Sequence, residues 1–410
     1  MVDQNRGYVF PGEEKLGTLT FSVNRRIKDI VGSTTLAITA KANELKAQGH
    51  DVVNFAAGEP DFDTPAPIKA AAVRAIEDGL TKYTPTAGTQ PLREAIAAKF
   101  KKDNQLDYKA SQIVVSCGAK HSLFNIIQVL ADEEEEVLIP SPYWVSYPEM
   151  VKAAGAVSRF LPTSAKTNFK ITAAQLKSAL TPRTKILILN SPSNPTGMVY
   201  TREELEAVAG ICVKNNIFVI SDEIYEKLNY EAQGYTSIAA LGKEIYDLTV
   251  TVNGVSKAYA MTGWRIGYAA GRDDIIEYIK KFQDHSTSNP ASISQAAAVQ
   301  ALREPEEGVR AMCAEFKKRR DLMAASLADA PGVSYLKPQG AFYLFCDFSR
   351  IGSSETIARQ ILEEVKVAVI PGDSFGAPGF IRMSFATSQE RILEGTKRIK
   401  EWIRRHTAAR

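Results

Sequence analysis

The sequence predicts an α/β protein with a mainly parallel, seven-stranded sheet sandwiched by helices, followed by a smaller α+β domain. Three observations carry this. Short, β-branched, nearly continuous apolar runs recur between about residues 110 and 270, as in strands covered on both faces. Helical patterns fall between several of them, the alternation of a parallel sheet. After about residue 290 the order changes, with long helices first and short strands later.

Taken in order, residues 1–21 mix charge, Gly and Pro, lack the apolar core of a secretory signal, and are expected to form an N-terminal extension. ITAKANELKAQG (38–49) reads as a helix that ends at a Gly and packs on the later lobe. The strand candidates are QIVVS (112–116), EVLIP (136–140), VSRFLP (157–162), KILILN (185–190), IFVISD (217–222), LTVTVN (248–253) and RIGYAA (265–270). Between them KHSLFNIIQVL (120–130), SYPEMVKAAG (146–155) and REELEAVAGICVKNN (202–216) have helical spacing. Helices over 290–304 and 306–329 follow, then strands at 343–346, 367–370 and 380–385, and a closing helix from 388 to about 406. The expected division is 22–50 and 306–410 in the small domain and 51–305 in the large one.

Composition narrows the function. The chain has 410 residues, 45% of them apolar, and a net charge of +3. That is too near neutral for a nucleic-acid or polybasic membrane surface to be the main partner. The acidic run DEEEE (132–136) reads as a solvated turn. The four cysteines are scattered with no CxxC, and the four histidines show no ligand spacing, so neither a disulfide framework nor a metal site is signalled. No run of about eighteen apolar residues suggests a membrane span. The expectation is a cytoplasmic protein.

In open α/β sheets, ligands bind beyond the carboxyl ends of the strands. Four polar clusters should meet there: Gly118 to Lys120, Asn190 to Gly197, Asp222 to Tyr225, and Ser256 with Lys257. Lys257 alone reads best as a lysine extending its charge to water. Buried, it would lose its proton more readily and become a nucleophile toward carbonyls. Asp222 ends an apolar run and needs a partner. Either it caps a short following helix, or it pairs with a cation such as the protonated pyridine nitrogen of pyridoxal phosphate. CGAKHSLFN (117–125) is a strand-to-helix turn whose N–H groups could face an anion. Arg265 could add a fixed charge to that anion, and Tyr83 a hydroxyl.

At SPSNPTG (191–197), SDEIYE (221–226) and SKAYAMTGWRIGY (256–268) the chain resembles the fold-type I, pyridoxal-phosphate-dependent class I aminotransferases. It is most similar to the bacterial aspartate aminotransferases of the aspartate/prephenate subgroup. AAGEPDFDTP (56–65), KYTPTAGTQPLREAI (82–96) and SPYWVSYPEM (141–150) extend the likeness, which runs in order from about residue 22. The resemblance implies that Lys257 bonds covalently to the aldehyde of pyridoxal 5′-phosphate and later shuttles the substrate's α-proton. Pyridoxamine 5′-phosphate is then the alternate form. Asp222 would pair with the ring nitrogen, Asn194 and Tyr225 would bond the ring hydroxyl oxygen, and Trp144 would stack on the ring. The phosphate would be held by Gly118, Ala119 and Lys120 N–H groups, by Ser256 and Arg265, and by Tyr83 of a second subunit. A homodimer with shared sites follows.

Arg382, in FIRMSFATS, would clamp the substrate α-carboxylate, with Gly58 approaching it through backbone. Lys120, Ser33 and Thr35 would face a distal carboxylate. The implied activity is reversible amino transfer between aspartate and 2-oxoglutarate. The alternatives are an aromatic or prephenate aminotransferase and a carbon–sulfur lyase on the same fold. Two positions depart from the pattern. Val31-Gly32 stand where relatives often carry a basic residue and Pro, which argues against prephenate. Gly254 replaces a serine three residues before the lysine.

Overall fold

A computed structural model describes residues 24–407; the expected extension over 1–21 lies outside them. The central sheet has seven strands. Their order across the sheet is Ile113–Ser116, Gly267–Ala270, Thr249–Gly254, Phe218–Asp222, Thr184–Asn190, Glu136–Ser141 and Val157–Pro162. Only Gly267–Ala270 runs against the rest, antiparallel to both its neighbours. The edge strand Ile113–Ser116 and the interior strand Thr249–Gly254 are both buried along their whole length, which explains their unbroken apolar character. The other edge strand, Val157–Pro162, leaves Val157 and Phe160 exposed.

Helices cover both faces and start where side chains can cap them. Thr201 and Glu204 exchange capping bonds at the start of Arg202–Lys214, and Thr172 with Gln175 do so for Ala173–Ala179. Ser33 accepts from the Leu36 N–H, so the first long helix begins at Thr34 rather than residue 38, and runs to Ala47. Helices Ala66–Glu77 and Gln90–Asn104 lie outside the sequence expectations.

The second sheet is antiparallel, ordered Ile370–Pro371, Phe380–Ser384, Tyr343–Asp347 and Ser334–Tyr335. The single strand expected over 367–370 is divided. Val367–Ala368 pairs in parallel with Val53–Asn54, and only Ile370–Pro371 joins the antiparallel sheet. Residues 53–54 thereby join the elements of the second lobe. Ala42 of the first long helix packs with Phe345, Leu362 and Ala368. Around Phe316, Phe342, Ile399 and Trp402, all nearly inaccessible, the helices Glu307–Leu327 and Gln389–Thr407 close over this sheet. Among the described residues no helix is long and apolar enough to cross a membrane.

Three sequence boundaries are corrected. Gln112 belongs to a short 3-10 turn rather than to the strand. The strand expected from residue 265 begins at Gly267, because Arg265 sits in the left-handed region with φ of 57° and cannot extend the chain. No helix follows Asp222; residues 224–227 form turns, so the helix-capping reading of that carboxylate fails.

Packing of the closing helix on the Val53–Asn54 strand gives a test. A Cβ at Gly395 would lie 2.4 Å from Phe55 Cζ and 2.8 Å from Val53 Cγ1. Both neighbours are fully buried. Gly395→Ala should cost about 1–3 kcal/mol in overpacking, more than the ~1 kcal/mol that alanine gains in helix propensity. The expected result is a melting temperature about 2–5 °C lower in thermal unfolding; an increase would refute the close packing.

Candidate active site

The carboxyl ends of the strands meet at one cavity of ≈ 250 Å³, open to solvent on one side. Asn190 and Asp222 end neighbouring strands and are partners in register. The Asn190 side chain donates to the Asp222 carbonyl at 3.0 Å and accepts from the Asn194 N–H at 2.8 Å, so one amide fixes both loops. The Asp222 carboxylate is 4% exposed. It accepts from the Tyr147 hydroxyl at 2.7 Å and from the Ile224 N–H at 3.3 Å. Burial pushes its pKa up to about 6, against the pull of those two donors. Lys257 Nζ donates to the Gly58 carbonyl at 2.6 Å. Burial lowers this amine to about 8, and the nearby Glu59 carboxylate opposes the fall.

Helix N–H groups and an arginine meet at the start of helix Ala119–Leu130. Gly118 takes φ of 92°, a turn that favours glycine, and its N–H is already bonded to the Ser116 carbonyl at 2.7 Å. The N–H groups of Ala119 and Lys120 begin the helix and have no backbone acceptor. Arg265 lies against this turn, so close that a Cβ on Gly118 would come within 2.2 Å of its Nη2. It donates to the Thr262 carbonyl at 2.8 Å and the Cys117 carbonyl at 3.3 Å. Ser256, nearly buried, also lines the cavity.

Across the cavity Arg382 is 2% exposed. Nη1 donates to Asn194 Oδ1 and Nη2 to the Ala56 carbonyl, each at 3.0 Å, while buried Nε has no hydrogen-bond partner. Its guanidinium lies over the Tyr343 ring at 4.3 Å and the Phe375 ring at 5.1 Å. At the mouth, Lys120 Nζ sits 4.9 Å from the Trp144 ring centroid, with Ser33 and Thr35 in the same lining. Burial and the Arg265 charge lower the Lys120 pKa. Among the described residues, none of Lys120, Asp222, Lys257, Arg265 and Arg382 forms an ion pair.

Of the residues singled out from sequence, the structure gathers Lys257, Asp222, Tyr225, Ala119, Lys120, Trp144, Asn194, Ser256, Arg265, Gly58, Arg382, Ser33 and Thr35 around this cavity. Gly118 stands just behind the lining. Tyr83 does not line it and is 94% exposed. Among the lining residues that escaped sequence reasoning are Tyr147, Thr262 and Tyr343. The tyrosines sit in apolar stretches and read as core; an odd hydroxyl in such a run is their only signal. At Gly254 a Cβ would meet the Ile266 carbonyl oxygen at 2.9 Å and Gly267 Cα at 3.1 Å, so a serine there needs the neighbouring strand to move.

Residues 50–399 match the family described as aminotransferase class I and II. The aspartate aminotransferase of Bacillus sp. (strain YM-2) is 51% identical over 385 residues, spanning 92% of this chain and 98% of that protein. An aspartate/prephenate aminotransferase of Cereibacter sphaeroides is 45% identical over 380 residues, spanning 90% of this chain and 95% of that protein. The solved structure of the Thermus thermophilus aspartate aminotransferase with maleate superposes with a TM-score of 0.89 at 42% identity, covering 93% of this chain and 99% of that one.

The Asp222 environment predicts a pH dependence. Its folded pKa lies above the unfolded value of 3.8. Between roughly pH 4 and pH 6 the folded chain therefore binds more protons than the unfolded one, and stability falls as pH rises through that window. In the cofactor-free chain, Asp222→Asn should add about 1–3 kcal/mol at pH 7 and remove that slope. Denaturant titrations of both chains between pH 3.5 and 7 would show it; a less stable variant at pH 7 would mean that desolvation does not dominate at this carboxylate.

Proposed function

Because this chain belongs to the class I and II aminotransferase family, we propose that it is an aspartate aminotransferase, exchanging amino groups reversibly between L-aspartate and 2-oxoglutarate. The observation that carries this is the set of charges lining one cavity without ion-pair partners among the described residues. A buried carboxylate, a buried guanidinium, a second guanidinium beside open helix N–H groups, and an amine together call for ligands of opposite charge. Pyridoxal 5′-phosphate fits them as cofactor: a cationic ring nitrogen at Asp222, a phosphate at Ala119, Lys120, Ser256 and Arg265, and an aldehyde within the reach of Lys257. When bound, it supplies an electrophilic carbon and an electron-withdrawing ring.

The chain's own groups do the rest. Burial leaves part of the Lys257 amine neutral near pH 8, so Nζ can attack a carbonyl carbon and later carry the proton to and from the substrate α-carbon. Tyr147 and the Ile224 N–H hold the Asp222 carboxylate in its ionised form. Arg382 binds the α-carboxylate of the substrate, its orientation fixed by Asn194 and the Ala56 carbonyl. Lys120, with Ser33 and Thr35, receives the distal carboxylate, which selects four- and five-carbon diacids. Two carboxylates bound at opposite ends leave the α-carbon between them, near Lys257. Val31, at the rim of an adjoining cavity, offers no charge to a bulkier diacid such as prephenate.

We further propose a homodimer. Val73, Ile76 and Leu80 are each more than half exposed, on and just after helix Ala66–Glu77, and lead to Tyr83. An apolar strip of this kind is suited to a second copy. The Tyr83 hydroxyl would complete the partner's phosphate site.

A half-reaction screen tests the substrate. Chain loaded with pyridoxal phosphate should shift to the pyridoxamine absorbance with aspartate and glutamate, and far more slowly with tyrosine, phenylalanine or arogenate. No shift with aspartate would end the proposal, and pyruvate plus ammonia released from cystathionine would point to a lyase. Lys257→Ala should still bind the cofactor yet lose at least ~10³-fold in turnover. Lys120→Ala should raise the KM for aspartate by about tenfold or more with a smaller change for tyrosine; equal effects on both substrates would remove Lys120 from the distal site.

A further inference from the structure

We infer that Tyr343 is a positioning residue that joins the carboxylate clamp to the cofactor-facing hydroxyl of Tyr225, an inference resting on the reading above. The two tyrosines come from different parts of the fold. Tyr225 follows the large-sheet strand Phe218–Asp222, and Tyr343 opens the strand Tyr343–Asp347 of the smaller sheet. Both side chains are nearly inaccessible, at 4% and 1% exposure, and both line the cavity. Their hydroxyls are 2.8 Å apart. Arg382 lies opposite Phe345 in the antiparallel pair, and Tyr343 is two residues before Phe345, so Tyr343 and Arg382 share a sheet face. The guanidinium carbon stands 4.3 Å over the Tyr343 ring.

Each phenol has one proton. If Tyr225 donated to Tyr343, it would keep none for a ligand oxygen in the cavity. The reverse arrangement frees the Tyr225 proton to point inward, and the Arg382 cation favours it by making Tyr343 the better donor. Burial raises both phenols, Tyr225 well above its ordinary value, and the Arg382 charge opposes the rise at both, standing second only to burial at Tyr343. Tyr343 therefore does two jobs with two parts of one side chain. Its hydroxyl directs Tyr225 toward the ring oxygen of the cofactor, and its ring supports the planar guanidinium that grips the substrate carboxylate. A Cβ on Gly58 would stand 3.6 Å from the Tyr343 hydroxyl oxygen, so the segment carrying Gly58 is in contact with the same side chain.

The two parts can be separated in the cofactor-loaded, full-length chain. The readouts are a pH titration of the bound cofactor's absorbance and the equilibrium binding of succinate, an unreactive diacid. Tyr343→Phe should raise the spectral pKa by about half to one unit and leave succinate affinity within about twofold. Tyr343→Leu should show the same spectral shift and bind succinate about tenfold more weakly. With Tyr225→Phe already in place, adding Tyr343→Phe should shift the spectrum no further, since the second hydroxyl acts through the first. A spectral pKa unchanged in Tyr343→Phe, or an additive shift in the double variant, overturns the hydroxyl role. Succinate affinity unchanged in Tyr343→Leu overturns the ring's role. Absence of cofactor absorbance in the unsubstituted chain overturns the underlying reading and this inference with it.

Discussion

The structure depends on holding charges where water has been removed and no ion pair among the described residues neutralises them. Burying an ion costs several kcal/mol unless it is paired or richly hydrogen-bonded. Here Asp222 has two donors, and Arg382 has two acceptors and an aromatic face, enough to keep each oriented but not neutralised. The surrounding core makes this tolerable. Strands that are buried end to end supply rigid ends from which the charged groups project, and amides such as Asn190 lock the loops between them. The result is a preorganised site, with the energetic deficit placed where a ligand of the right charge pattern relieves it.

Much of this was legible in the sequence because the rules involved are local. Continuous apolar runs marked the seven strands, and the carboxyl-end rule sent Lys120, Asn194, Asp222 and Lys257 to one edge before any contact was known. The strand at 267 was read two residues early because a left-handed residue such as Arg265 leaves no trace in hydropathy. Two-residue strands such as Val53–Asn54 are too short to show a period, and only the fold reveals their partner at Val367–Ala368. Tyr147 and Tyr343 were missed for a different reason. Their rings pack in the core while their hydroxyls face the site, so composition assigns them wholly to packing.

The two lobes contribute unequally to the cavity. The large sheet provides the floor, with Asp222 and Lys257, and the smaller lobe provides Arg382 and Tyr343. The segment around Gly58 touches both, accepting from Lys257 and abutting Tyr343. Glu59 adds another link by accepting from the Thr262 hydroxyl at 2.7 Å. These contacts join the two lobes beside Lys257.

The single reversed strand, Gly267–Ala270, has one more consequence. In an all-parallel sheet the chain leaving Thr249–Gly254 would have to cross over and re-enter at the far edge. Reversal lets it turn back at the edge where it emerged, so Lys257 and Arg265 ride on one loop clamped at both ends by adjacent strands. A clamped loop has no slack. Lengthening or shortening it between Val255 and Ile266 would change the span between the two cations, so this stretch should tolerate exchanges of side chains far better than insertions or deletions.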